Sequence, residues 1–463
     1  MSSKNSNQCF NPYLPSWEYI PDGEPYVFDR RVYVYGSHDK FNGHVFCIND
    51  YACWSASVDD MTTWKYEGVI YKKTDDPLNV EGKMCLYAPD VTVGQDGRYY
   101  LFYVLDKVSA VSVAVCDSPA GKYEFYGYVK YPDGTKYGER KGDEPQFDPG
   151  VLTEGDKTYL YTGFCGAGDK SRSGAMAVAL DSDMLTILEG PVIVVPGGCY
   201  GEGSGFEEHE YFEAASIRKI GDTYYLVYSS SPMHELCYAT SKNPLKDFKY
   251  GGVIVSNCDM HIDSYKPAKM KTAIGGNNHG SIVQINGEWY VFYHRHTNGS
   301  WFCRQGCVEK IKISDDGSIA QVEMTSLGAN KTPLIGKGEY PAYIACNLFD
   351  ANGKFSARIT QDGRDGDEET GYVADITDST VIGFKYFDCV GINKIKIKTR
   401  GYCNGVFEIR TSLQGEIVGR IPVSFTNIWE EYIAEISIPD GVHALYFTYT
   451  GGGTAQFASF VLE

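Results

Sequence analysis

No stretch of the sequence approaches the run of about 20 apolar residues needed to carry a helix across a bilayer. The opening MSSKNSNQCFNPYLPSW also lacks the apolar core of a secretory leader. These two absences set the expectation of a cytoplasmic protein with no membrane partner. Basic residues are scarce as well: 42 Lys and Arg stand against 60 Asp and Glu, a formal net charge of -18. Nucleic-acid binding rests on clustered Lys and Arg that neutralise phosphates, and no such cluster occurs, so a polyanion partner is excluded. Neutral sugars would meet no repulsion from such a surface. The fourteen cysteines contain no CxxC pair and no His/Cys group at zinc spacing. They read as reduced thiols, in keeping with the expected location.

Long helical periodicity is also missing. In its place are short, alternating, aromatic-rich runs, with 51 Gly, 37 Tyr and 22 Phe, which favour an all-β chain. At 463 residues, two domains are the starting expectation. Tyrosine suits the apolar face of a sugar ring, but it is equally a strand former, so composition alone does not choose.

One unit recurs five times: PDGEPYVFDRRVYVYGS, PDVTVGQDGRYYLFY, FDPGVLTEGDKTYLYTG, FEAASIRKIGDTYYLVYSS and NHGSIVQINGEWYVFYH. Each reads as a β-hairpin, and QDGR, IGDT and INGE supply the Gly-containing turns. Aligning the second strands on Tyr33, Tyr100, Tyr159, Tyr225 and Tyr290 gives intervals of 67, 59, 66 and 65 residues, one four-stranded blade per interval. Segments such as CWSASVDDMTTWKYEGVI and CYATSKNPLKDFKYGGVIV supply the outer pairs of strands. Radial repetition of this kind predicts a five-bladed β-propeller over residues 1–328, whereas a β-helix or paired sandwiches do not explain so long a period.

In a propeller the first strand of every blade runs beside the axis. Counting back from the aligned tyrosines by 11, 10, 11, 12 and 11 residues lands on Asp22, Asp90, Asp148, Glu213 and His279, all ionisable. A carboxylate at a strand end commonly caps a turn, but five such groups converging on one channel mouth point to a site. Converging carboxylates suit glycosidic cleavage, which needs one protonated acid and one ionised base. Crowding raises the pKa of at least one of them.

With these motifs in place, the chain resembles glycoside hydrolase family 43, a family of five-bladed propellers that includes inverting arabinofuranosidases, β-xylosidases and endo-arabinanases. The resemblance implies that Asp22, in NPYLPSWEYIPDGEPYVF, is the general base. It implies further that Asp148, in QFDPGVL, tunes the acid, and that Glu213, in YFEAASI, is the general acid. The family usually carries Asp-Pro at the first position; Asp22-Gly23 is followed here by Glu24-Pro25, so Glu24 is a competing base, and two steps along a strand would put both on one face. By the same resemblance Asp90, in YAPDVTV, is a pocket-wall or structural residue rather than a fourth catalyst. His279, in NHGSIV, lies near the axis, where it would either neighbour a calcium ion or form hydrogen bonds without a metal. Arg304, in FCRQGC, falls where a sugar-orienting arginine stands, and Trp301 with Phe302 could form a sugar platform. Trp54 and Trp64 fall in blade-edge repeats and read as core. No cofactor is required, and calcium is the one candidate ion.

Residues 329–340 read as a Gly/Pro-rich linker, and residues 341–463 as a β-sandwich of alternating strands such as KIKIKTR and YIAEISI. Its segments ETGYVADI and GVHALYFTYTGGGTAQFASFVLE resemble a family 6 carbohydrate-binding module, a jelly-roll domain. Ala458 stands where that family has an Asn, and the usual Trp near Thr380 is missing; Tyr372 and Trp429 remain as aromatic candidates. The reading is an exo-acting hydrolase that takes arabinose- or xylose-containing oligosaccharides. An endo-arabinanase or a non-catalytic sugar-binding propeller stays open as an alternative.

Overall fold

In a computed structural model that describes residues 8–166 and 168–463, the five hairpins become the inner halves of five radial sheets. The start of the segment read above for a leader lies outside those residues. The hairpins form where alternation and turn chemistry agree. In the fifth, Asn286 (φ 49°) and Gly287 (φ 82°) both take the left-handed conformation that a two-residue turn between twisted strands demands. The first blade runs Glu24–Phe28, Arg31–Tyr35, Tyr51–Ser57 and Asp60–Tyr71 from the axis outward. The second, third and fourth blades repeat this order, starting from inner strands Asp90–Val93, Gly150–Glu154 and Tyr211–Ile220.

The fifth blade departs from the four-stranded expectation. It has three strands, Ser281–Ile285, Glu288–Arg295 and Gln305–Ile311. The N-terminal segment lies along its outer edge and closes the ring. Tyr13 N–H donates to Gly306 O (3.1 Å), and Asn11 Oδ1 accepts from Val308 N–H (2.8 Å). Asn11 Nδ2 donates to Val308 O and Glu309 Oε1 (both 2.9 Å) and to Thr325 O (3.2 Å).

Each blade buries both faces, because successive strand residues point to opposite sides. Leu160 packs against the second blade while its neighbour Tyr161 packs against the fourth. Val291 faces the fourth blade and Phe292 the first. The apolar core of the propeller is therefore five wedges between blades, with Trp54 in the wedge between the fifth and the first and Trp64 packed against it. At the axis the inner strands crowd until some positions admit hydrogen alone. A Cβ on Gly280 would stand 1.8 Å from Phe292 O, and one on Gly150 would stand 2.3 Å from Ala215 O on the next inner strand.

The second domain is one hydrogen-bonded ten-stranded sheet curled around its own core, in which Phe384, Phe447, Phe457 and Phe460 meet. Two of its strands, Leu334–Ile335 and Gly338–Pro341, come from the expected linker and pair with Thr380–Cys389 and Gly441–Leu462. The segment is thus a part of the sheet.

Several contacts fix this domain on the propeller, and two clusters of them involve charged side chains. Lys385 buries its ammonium against Asp259 Oδ2 and Glu323 Oε2 (3.1 Å each) and the face of Tyr265. Nearer the channel mouth, Asp365 accepts from Phe41 N–H (2.6 Å) and from Asn49 Nδ2, while Arg358 bonds Asn298, which bonds Asn42. The loop spanning residues 39–49 is therefore held from the second domain.

Asn11 carries the ring closure, and all of its side-chain partners are buried. Asn11→Ala is expected to lower stability by about 3 kcal/mol, since buried acceptors and one donor lose their partners. The measurement is the urea midpoint at unchanged slope, and a shift worth less than about 1 kcal/mol would show that closure does not depend on this side chain.

Candidate active site

The residues at the entry to the inner strands leave the extended conformation just where they meet the channel. Asp22 (φ 57°), Asp148 (φ 44°) and Ala214 (φ 68°), next to Glu213, are all left-handed. Aspartate tolerates this conformation better than most residues; for Ala214 it is a strained geometry costing roughly 1–3 kcal/mol, of the kind that clusters at functional sites. The result is that Asp22, Asp148 and Glu213 all line one cavity of about 370 Å³. Aromatic rings wall it. Tyr87, Phe147, Phe164 and Phe212 form a row with centroids 5.1–5.5 Å apart, and Phe46 and Trp301 stand among the remaining lining residues. Trp301 keeps 41% of its surface exposed, as a platform at the mouth would.

The three acids have different surroundings. Arg304, fully buried, forks onto Asp39 through Nε (2.9 Å) and Nη2 (3.0 Å) and gives Nη1 to Asp22 Oδ1 (2.9 Å). Burial pushes the Asp22 carboxyl up, but Arg304 and then His294 outweigh it and hold it well below the usual carboxylate range. His294 Nδ1 lies 3.2 Å from Asp22 Oδ1 and 3.3 Å from Asp22 N, and its Nε2 lies 2.7 Å from Asn277 O. Burial lowers its pKa.

Glu213 has no cation against it. Burial first, then the nearby charges of Asp148 and Asp22, push its carboxyl up to about 8. Asp148 is raised too, by burial and by Asp22, with His279 opposing; its Oδ2 accepts from Ala214 N–H (3.2 Å), which ties it to the backbone beside Glu213. His279 stands behind the acids. Its Nδ1 is 3.5 Å from Asp148 Oδ2 and 4.0 Å from Asp22 Oδ1, and its Nε2 is 3.7 Å from Glu24 Oε1. Although burial opposes protonation, these carboxylates raise its pKa well above the ordinary value, so the ring is a cation at neutral pH.

Residues 21–319 match the model for glycosyl hydrolases family 43. A xylosidase/arabinosidase from Thermoclostridium stercorarium is 70% identical over 98% of this chain and 99% of its own length. The chain belongs to glycosyl hydrolase family 43. Among solved structures, a family 43 β-xylosidase/α-arabinofuranosidase from a compost metagenome is similar with 27% identity and a TM-score of 0.53. The match covers 68% of this chain and 97% of that one, and that structure holds xylotriose in a calcium-free form. A Bacillus subtilis arabinoxylan arabinofuranohydrolase with cellotetraose shares the fold over 100% of this chain and 98% of its own, at TM-score 0.55 and 22% identity.

Within this family 43 site, Arg304 and Trp301 line the cavity with the three acids, whereas among the described residues Glu24 and Asp90 do not. The two-residue step expected to put Glu24 beside Asp22 fails because side chains alternate faces only along extended backbone, and Asp22 is left-handed. Glu24 points down the channel to Arg218 (2.6 Å) and accepts from Ser216 Oγ (3.0 Å). Asp90 accepts from Tyr26 OH (2.6 Å) and from the N–H groups of Val91 and Val151 (2.7 Å each), so it ties the second blade to the first and third. Neither is available to a sugar. Sequence reasoning missed Asp39, which lies outside the repeat phase, and His294, which closes the fifth repeat but has no ionisable counterpart in the other four. It also passed over Phe147 and Phe212, although both stand in the quoted Phe-Asp and Phe-Glu segments.

A prediction follows from the sign of the Glu213 shift. Between the ordinary glutamate value of about 4.3 and about 8, the folded chain keeps a proton on Glu213 that the unfolded chain has lost, so this group erodes stability as pH rises through that window. Asp22 works oppositely: its depressed value adds stability above the ordinary range, which is lost as pH falls. Glu213→Gln removes the first effect only. Its urea stability relative to the parent should be similar at pH 4 and clearly higher at pH 8, and a constant difference would show that Glu213 titrates normally.

Proposed function

We propose that the chain removes terminal xylose or arabinofuranose from short hemicellulose-derived oligosaccharides with inversion at the anomeric carbon. One observation carries the reading: a carboxylate held ionised by Arg304 and a carboxyl held protonated by burial face the same aromatic-walled cavity. Asp22 takes a proton from water as its oxygen attacks the anomeric carbon. Glu213 gives its proton to the glycosidic oxygen as that bond breaks. Asp148 holds the charge that keeps Glu213 protonated and fixes the backbone beside it. Solvent then returns Asp22 and Glu213 to their starting states. The name of the Thermoclostridium relative supports both pentoses, and the xylotriose held by the compost enzyme supports xylo-oligosaccharides in particular. The modest cavity volume favours capture of a chain end over threading of a polymer.

Of the two readings of His279, the one with a neighbouring calcium meets a poor donor set. Calcium takes six to eight oxygen ligands, whereas the axial carboxylates here already face two cations. His279 stands against Asp148 and Glu24, and Arg218 is paired with Glu24. We therefore assign His279 a charge-balancing role, and no step passes through a metal there. In the second domain, Arg400 lies over the rings of both Tyr372 and Trp429, at 5.1 and 4.2 Å, and competes with a sugar for them. Its role in this reading is structural support of the propeller loops.

Two measurements test the proposal. Proton NMR of xylobiose or aryl xyloside turnover should show the inverted anomer first, and a retained anomer would overturn the mechanism. The ratio kcat/KM should fall above about pH 8 as Glu213 loses its proton. Asp22→Asn and Glu213→Gln should each lower kcat by roughly 10²–10⁴-fold on unactivated oligosaccharides, and wild-type activity in either variant would remove that residue from its role.

A further inference from the structure

Behind the cavity wall, in the fourth blade, lies a group of side chains that the reaction does not use. Glu235 opens the strand Glu235–Ser241 with its carboxylate 1% exposed. Oε2 is committed, accepting from Ser230 Oγ (2.7 Å) and meeting His209 Nδ1 (2.8 Å). Oε1 is buried and has no hydrogen-bond partner. It faces His261 Nε2 at 3.3 Å from across a loop, and a ring nitrogen of His234 completes a trio whose ligand atoms all lie within 4.8 Å of one another. Ser256 Oγ engages His234 Nδ1 at 3.0 Å, which leaves Nε2 as the free donor.

An ion pair with His261 leaves Oε1 without an aligned hydrogen bond, which is costly for a buried carboxylate oxygen. A metal explains it well. Two ligand atoms on a tetrahedral zinc, each bonded at about 2.0–2.1 Å, stand roughly 3.4 Å apart, close to the separation of His261 Nε2 and Glu235 Oε1. The outer contacts match as well. His209 and Ser230 orient the carboxylate and Ser256 fixes the imidazole, as the hydrogen-bond partners of metal ligands generally do. We propose that His234, Glu235 and His261 form a binding site for Zn²⁺ or a similar first-row divalent cation, with water in the fourth position.

The site adjoins the sugar cavity through the chain itself. Met233, the residue before His234, lines that cavity, and the carbonyl of His234 accepts from Asn278 Nδ2 (3.2 Å), next to the lining residue Asn277. His261 is 49% exposed, so the cation has a way in and the residue can be replaced without opening the core.

Isothermal titration of the full chain with ZnCl₂ after chelator treatment should show one saturable site, together with a rise in Tm that grows with zinc concentration. His261→Ala should weaken that site at least tenfold while leaving the metal-free Tm within about 2 °C. Glu235→Gln should abolish it. Cys199→Ser, which removes the exposed thiol, should leave it intact. Equal zinc affinity in the parent and His261→Ala, loss of binding in Cys199→Ser, or no saturable binding in the parent would each overturn the assignment. None of these readouts depends on glycosidase activity, so the result stands apart from the catalytic reading.

Discussion

The guanidinium of Arg304 is the point on which the active site turns. Three carboxyl groups share one largely aromatic-walled cavity, and without a fixed cation they would compete for protons and titrate together. Arg304 breaks that symmetry by bonding one of them. Its other two donor directions are spent on Asp39, so the side chain cannot swing toward Asp148 or Glu213. The same low dielectric that makes Asp22 a stable anion beside Arg304 makes Glu213 a stable acid, because burial and the charges of Asp148 and Asp22 outweigh the more distant His279 and Arg304. A single well-anchored charge thus sets opposite protonation states on two groups of similar intrinsic acidity.

Below the acids the channel repeats this arrangement without chemistry. Glu24 stands there between two cations, Arg218 and His279, and Ser216 links Glu24 to Ser281. Buried ion pairs of this kind add little net stability compared with apolar packing, yet losing one member is costly because its partner is left charged and unpaired. Here they hold five inner strands in fixed phase, and that phase brings Asp22, Asp148 and Glu213 to one end together.

Much of this was legible in the sequence, for a definite reason. A propeller repeats one hairpin, so equivalent positions can be aligned within a single chain, and the five ionisable residues emerged from counting alone. The failures have physical causes too. Glu24 was placed beside Asp22 by strand alternation, which a left-handed residue cancels. Asp39 sits in a loop with no counterpart in the other blades, so no internal comparison could reveal it. The missing fourth strand of the last blade, and the N-terminal segment that replaces it, depend on contacts between residues about 300 positions apart, which period and propensity do not encode.

The loop spanning residues 39–49 supplies Asp39 to Arg304 and Phe46 and Cys47 to the cavity wall, and its backbone is gripped by Asp365 of the second domain. The propeller therefore does not own its whole active site. A propeller of this type grafted onto an unrelated module would keep its acids and lose the brace on their counter-ion. Inheritance should for that reason act on the two domains as one unit, with changes near Phe41 and Asn49 answered by changes near Arg358 and Asp365.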